Sequence, residues 1–132
     1  MWKLFALLLI ITAMPLYAFD LQKVEWVSCY DGDTCKFNIL DSNFPPYLNP
    51  MSIRVYGVDT PEMKGNTKSA AIKSKEFTVH FIKNSQNLRL TNCKKDKYFR
   101  FDCDYIDNKK SLSQQLIANN LGVPYFGGKK QN

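Results

Sequence analysis

The 132-residue chain contains a single histidine, His80, which removes histidine-rich metal sites from consideration and leaves one imidazole for acid–base work. Glycine and proline number only six each, so collagen and Pro/Gly-rich disorder are excluded. No apolar run reaches the ~20 residues that cross a bilayer as a helix; Leu4 to Thr12 is too short. Repeats, low-complexity tracts and interdomain linkers are lacking, and the length allows one modest domain. Acidic side chains are in the minority, 12 against 18 basic, for a formal net charge of +6. Such a balance attracts a polyanion or an anionic membrane surface.

What is present begins with an export pattern. Lys3, the Leu4 to Thr12 run and Pro15 before Leu16-Tyr17-Ala18 form a secretory signal peptide with cleavage after Ala18. The expected mature chain, residues 19 to 132, is one domain and secreted or periplasmic; an uncleaved membrane tether is the alternative. Export changes the meaning of the four cysteines. Cys29 and Cys35 lie symmetrically about Gly32, and Cys93 and Cys103 about Tyr98, which places each pair across a turn on adjacent antiparallel strands. Cys29–Cys35 and Cys93–Cys103 are therefore favoured among three connectivities. A metal cluster, or a reduced Cys35 packed in the core, are the other readings.

Period-2 patterning predicts strands over residues 24–30, 34–40, 52–58, 88–92 and 100–106. In the second, Cys35, Phe37 and Ile39 alternate with Lys36 and Asn38, and Asp31-Gly32-Asp33 supplies a hairpin turn. Pro45, Pro46 and Pro50 make residues 41–50 a loop. A helix is expected over residues 67–83, with Ala70, Phe77, Phe81, Ala71, Thr78 and Ile82 inward and Lys73, Glu76, His80 and Lys83 outward. A second is expected over 111–120, with Leu112, Leu116 and Ile117 inward. Five strands with a helix between the third and fourth suit an α+β fold built on a small five-stranded OB barrel, closed by a short C-terminal helix.

Three segments concentrate the chemistry. Asp31-Gly-Asp-Thr34 taken alone is a plain turn, and it fails as an EF-hand because Lys36 and Ser42 occupy the required glycine and glutamate positions. Arg54-Val-Tyr-Gly-Val-Asp59-Thr60-Pro61-Glu62 gathers a cation, two carboxylates and a stiff bend within nine residues. Asp96-Lys97-Tyr98-Phe99-Arg100 interleaves cations with an aromatic ring, which suits phosphate and base together.

In this order the three segments resemble the staphylococcal nuclease family, through Asp31-Gly-Asp-Thr34, Arg54 with Val58-Asp-Thr-Pro-Glu62, and Asp96-Lys-Tyr98 with Arg100. The likeness spans residues 24 to 125. It implies a Ca2+-dependent phosphodiesterase acting on DNA and RNA and leaving 3′-phosphate ends. Carried over, Asp33, Asp59 and the Thr60 carbonyl would bind the metal, with Asp31 close behind them. Arg54 and Arg100 would hold the scissile phosphate and Glu62 would position or deprotonate water. Lys97 and Tyr98 would contact a terminal phosphate, and Tyr125 would stack on substrate. No stable protein partner is implied, and a monomer suffices.

The chain departs from that family at Phe99 and Phe101, where glycines flank the second arginine, and in its short C-terminal segment. A Phe99 forced to positive φ would be strained. The competing class is a catalytically silent OB-fold nucleic-acid-binding module. Asp33, Asp59 and Glu62 argue against it, since acids facing a polyanion weaken binding unless a cation intervenes.

Overall fold

A computed structural model describes residues 17–127. The expected signal segment lies outside them except for Tyr17 and Ala18. Among the described residues no helix is long and apolar enough to cross a membrane. The elements in chain order are β1 (Phe19–Leu21), β2 (Val24–Cys29), β3 (Thr34–Ile39), β4 (Met51–Val55), β5 (Gly57–Asp59), α1 (Lys68–Asn84), β6 (Leu88–Asp96), β7 (Arg100–Asp107), β8 (Lys110–Ser111), α2 (Leu112–Ala118) and β9 (Val123–Tyr125).

The main sheet runs β1-β6-β7-β4-β3-β2, with β8 appended to β7. Its pairings are antiparallel apart from the parallel β4–β7 pair. The sheet curls into a half-barrel against two helices. Its terminal strands, β1 and β2, are separated in the chain by Gln22 and Lys23 alone, so the curl carries the two ends of the strand order toward each other.

Alternation works as expected in β3: Cys35, Phe37 and Ile39 are buried and Lys36 is exposed. Phe37 meets the Tyr105 ring edge-on at 5.6 Å in a core that also takes Ile53, Val55, Leu90, Leu112 and Leu116. The buried Tyr105 hydroxyl donates to the Ile53 carbonyl at 2.6 Å, so the one polar atom of that ring is satisfied.

The expected third strand divides. Gly57 adopts φ +89°, which turns the chain after Tyr56. The following residues leave the sheet to form a separate ladder in which β5 pairs β9, Gly57 opposite Tyr125 and Asp59 opposite Val123. Two-residue and three-residue strands at β1, β8 and β9 are too short to print a period and were absent from the sequence expectation. Both favoured disulfides form. Cys29 stands directly opposite Cys35, and Cys93 sits in the register shift between Thr91 and Lys94 that brings it to Cys103. They close chain separations of 6 and 10 residues, which by loop entropy stabilises the fold by about 2 to 3 kcal/mol each. They also fit an oxidising compartment.

Helix α1 buries Ala71, Ser74, Thr78 and Ile82, and Lys73, Glu76, His80 and Lys83 face out as expected. Ala70, assigned inward by periodicity, is exposed; the stripe passes through Ser74 instead. The reason is a polar one. Ser74 donates to the Leu121 carbonyl at 2.5 Å and Thr78 to the Gly32 carbonyl at 2.6 Å, so the helix holds the β2–β3 loop and the segment after α2 by two buried hydroxyls. Gly32 is required by this contact rather than by turn geometry, because a Cβ there would fall 2.8 Å from Ser74 Cβ. Thr78→Val keeps the shape but leaves the buried Gly32 carbonyl without its donor. It is expected to lower unfolding free energy by about 1 to 3 kcal/mol, measured by denaturant titration; an unchanged midpoint would refute this role.

Candidate active site

Three chain segments meet at one cleft of about 740 Å³. The first is the loop between β2 and β3. Asp31 Oδ1 accepts from the Asp33 backbone N–H at 3.0 Å, an Asx turn that fixes the loop. Asp33 is buried and has both oxygens engaged: Oδ1 accepts from the Thr34 hydroxyl at 2.9 Å, and Oδ2 from the Thr60 N–H at 3.0 Å and hydroxyl at 3.2 Å.

The second segment runs from β4 through β5. Arg54 is only 7% exposed, and its Nη2 lies 3.6 Å from Asp33 Oδ2 and 3.4 Å from Asp59 Oδ1. Asp33 and Asp59, 26 residues apart in sequence, are thus joined through one guanidinium. The expected metal pair and the first expected arginine come together as one positive and two negative groups whose charges offset in part, and Arg54 faces the carboxylates directly. Asp59 lines an adjoining hollow of about 700 Å³, and Thr60 and Glu62 border both spaces. Glu62 is largely solvent-facing and pairs with Lys64 at 3.1 Å. The loop behind it is anchored by Thr67, whose hydroxyl is within 2.6 Å of the Glu62 carbonyl and 3.0 Å of that of Lys64.

The third segment is the β6–β7 hairpin. Arg100 Nε donates to Asp96 Oδ2 at 2.6 Å, and its guanidinium lies 5.4 Å from the Tyr98 ring centroid, with Lys97 Nζ at 5.1 Å from the same ring. All four residues line the cleft, as does Tyr125, whose ring lies 5.0 Å from the Arg54 guanidinium carbon. Phe99 sits at φ +55°, so the hairpin keeps a left-handed residue where a phenylalanine replaces the expected glycine.

Sheet register adds a residue that motif reading missed. Thr34 lies opposite Arg54, Arg54 opposite Asp102, and Asp102 opposite Lys94, which sets these four on one face of neighbouring strands. Asp102 lines the cleft, and its Oδ1 is buried without a protein hydrogen bond. The available signal was its place two residues beyond Arg100 on a strand, hence on the same face. Thr78, which braces the site from α1, was expected on the inner stripe; Ser74, which braces it too, carried no such signal, because a small polar residue there does not register in a hydrophobic period.

Electrostatics follow from this crowding of acids. Burial pushes the Asp31 carboxyl up to about 7, aided by the negative charge of Asp33. Asp102 is pushed up to about 6 by burial and then by its shared hydrogen bond with Asp96. At Asp96 burial acts upward, but the hydrogen bonds from Arg100 and Asp102 outweigh it and hold the carboxyl below its ordinary value.

Among the described residues, no group of three or more His, Cys, Asp or Glu side chains is gathered for a metal. The Asp33 and Asp59 carboxylates, both within 3.6 Å of Arg54 Nη2, are oxygen donors of the kind a hard cation accepts. No family model matches the chain, and no curated protein matches it either.

Two expectations follow. Phe99→Gly relieves a left-handed backbone that costs an L-residue about 1 to 2 kcal/mol, against a smaller gain in unfolded-chain freedom. The variant should unfold at higher denaturant by about 1 kcal/mol, and a loss of stability would contradict the strain. Asp102 binds its proton more tightly folded than unfolded, so its contribution to stability is full below pH 3.8 and is lost as pH rises through about 6. Asp102→Asn should therefore flatten the decline in unfolding midpoint between pH 4 and 6; an unaltered slope would place the titration elsewhere.

Proposed function

We propose that this protein is an exported Ca2+-dependent nuclease of the staphylococcal nuclease type, hydrolysing phosphodiester bonds of DNA and RNA and leaving 3′-phosphate ends. The observation that carries the reading is the meeting of Asp33 and Asp59 on Arg54, with Asp33 and Arg54 lining a cleft that also holds Arg100, Lys97, Tyr98 and Tyr125. The fold supports it as well. If β1 and β2 are taken as one strand interrupted at Gln22 and Lys23, the order is that of a five-stranded OB barrel, with α1 between its third and fourth strands and β3 and β4 as its second and third. The disulfides support export, with cleavage after Ala18 or retention as a tether both compatible with it.

In this reading Asp33, Asp59 and the Thr60 carbonyl would hold the cation, with Asp31 close behind them. Bound there, calcium supplies Lewis-acid polarisation of the phosphoryl group. The chain's own groups do the rest. Arg54 and Arg100 donate paired hydrogen bonds to phosphate oxygens and stay charged at any working pH. Asp96 fixes the Arg100 fork, so its orientation is set before substrate arrives. Glu62, at the shared border of the two hollows, takes or orients the proton of the attacking water. Lys97 and Tyr98 bind a neighbouring phosphate, and Tyr125 offers a stacking face.

The test is digestion of single-stranded DNA by the purified protein in calcium and in chelator, with analysis of the ends formed. Cutting should need calcium and yield 3′-phosphates. Arg100→Ala should lower kcat about 100-fold to 1,000-fold, the usual cost of one transition-state donor, and Glu62→Ala about 100-fold to 10,000-fold. Equal cutting in chelator overturns the metal role. Binding without cutting under every condition identifies a silent nucleic-acid-binding module instead.

A further inference from the structure

We propose a second nucleobase subsite in this cleft, built by Tyr56 and Phe126 with Lys94, that takes an additional nucleotide of a single-stranded polynucleotide. The proposal rests on the nucleic-acid reading of the cleft but uses residues outside its catalytic set.

Phe126 is 70% exposed, yet its position is fixed. It follows β9 directly, and the pairing of Gly57 with Tyr125 sets the ladder from which it projects. Its ring lies 5.7 Å from that of Tyr56, edge to face, and a Cβ added at Gly57 would rest 3.5 Å from its Cε1. Tyr56 is held in turn by its N–H, which donates to the Cys103 carbonyl at 2.9 Å. Tyr56 is thus held to the sheet and Phe126 adjoins the β5–β9 ladder, and both line the cleft. Such a fixed, water-facing phenylalanine offers a flat apolar face with little ordering cost to a planar ligand.

The third component supplies charge. Lys94 Nζ lies 5.1 Å from the Tyr56 ring centroid, so a cation stands beside the aromatic pair just as Lys97 and Arg100 stand beside Tyr98. Alternating cations and rings match a strand that alternates phosphates and bases, and stacking tolerates any base. A duplex keeps its base faces inside the stack and cannot use the rings. The occupant is therefore a single-stranded segment longer than the nucleotides held at Arg54 and Tyr98.

Binding of fluorescein-labelled dT2 and dT8 in chelator, followed by anisotropy, tests this without hydrolysis. Phe126→Ala should weaken dT8 about tenfold and leave dT2 unchanged. Lys94→Ala should reduce the salt slope for dT8 by about one. Tyr56→Phe, which keeps the ring, should bind dT8 as the unaltered chain does. A Phe126→Ala protein that binds dT8 undiminished, or that loses dT2 and dT8 equally, overturns the subsite, as does failure of the unaltered chain to bind dT8. Calcium-dependent cutting with no Phe126 effect removes the subsite and spares the nuclease reading; Phe126-dependent binding of dT8 with no cutting does the reverse.

Discussion

A guanidinium withdrawn from water must have its charge met, and the placement of Arg54 between Asp33 and Asp59 is the constraint around which this protein is arranged. The three groups come from a hairpin loop, a sheet strand and a ladder outside the sheet. Each would be costly to bury alone, at several kcal/mol for an unpaired ion. Together the guanidinium and the two carboxylates offset one another in part, and they tie three regions of chain to a single point. Asp33 also receives the Thr60 N–H and hydroxyl, so the loop carrying one carboxylate is locked to the bend carrying the other.

That point is held from behind by α1. Hydroxyls on its buried stripe reach the Gly32 and Leu121 carbonyls, one on the loop that presents Asp31 and Asp33, the other on the segment that leads into β9 and Tyr125. The same helix that covers the sheet therefore sets the height of two cleft walls. Such a brace needs residues that are small, polar and inward-facing, which explains why Ser74 lies in the stripe where a strictly apolar pattern selects Ala70.

Much of this was legible in the sequence. The β2–β3 hairpin, α1, α2 and both disulfides follow from alternation, helical period and the symmetry of cysteines about turns. The union of Asp33, Arg54 and Asp59 followed from motif resemblance rather than from any local rule, because the segments meet only through tertiary packing. What escaped has physical reasons too. The strand expected over residues 52–58 keeps its alternation on both sides of Gly57, and that glycine, a poor strand former, was the one local sign of the turn its positive φ makes. The strands β1, β8 and β9 exist because a partner strand is beside them. Asp102 shares a strand face with Arg100, but its place beside Arg54 and Lys94 is a relation among three strands that no one of them contains.

The positions of the two cystine bridges have a consequence for how the molecule tolerates change. One ring encloses the loop with Asp31 and Asp33, and the other the hairpin tip with Lys97, Tyr98 and Arg100. Each ligand-facing tip is thereby cut off mechanically from the rest of its strands. The first tip has little room to vary, because Gly32 packs on Ser74 and Asp33 is held by Thr60 and Arg54. Lys97, Tyr98 and Phe99 in the second are exposed, so length or composition can drift there while the pairing beyond the bridge stays in step.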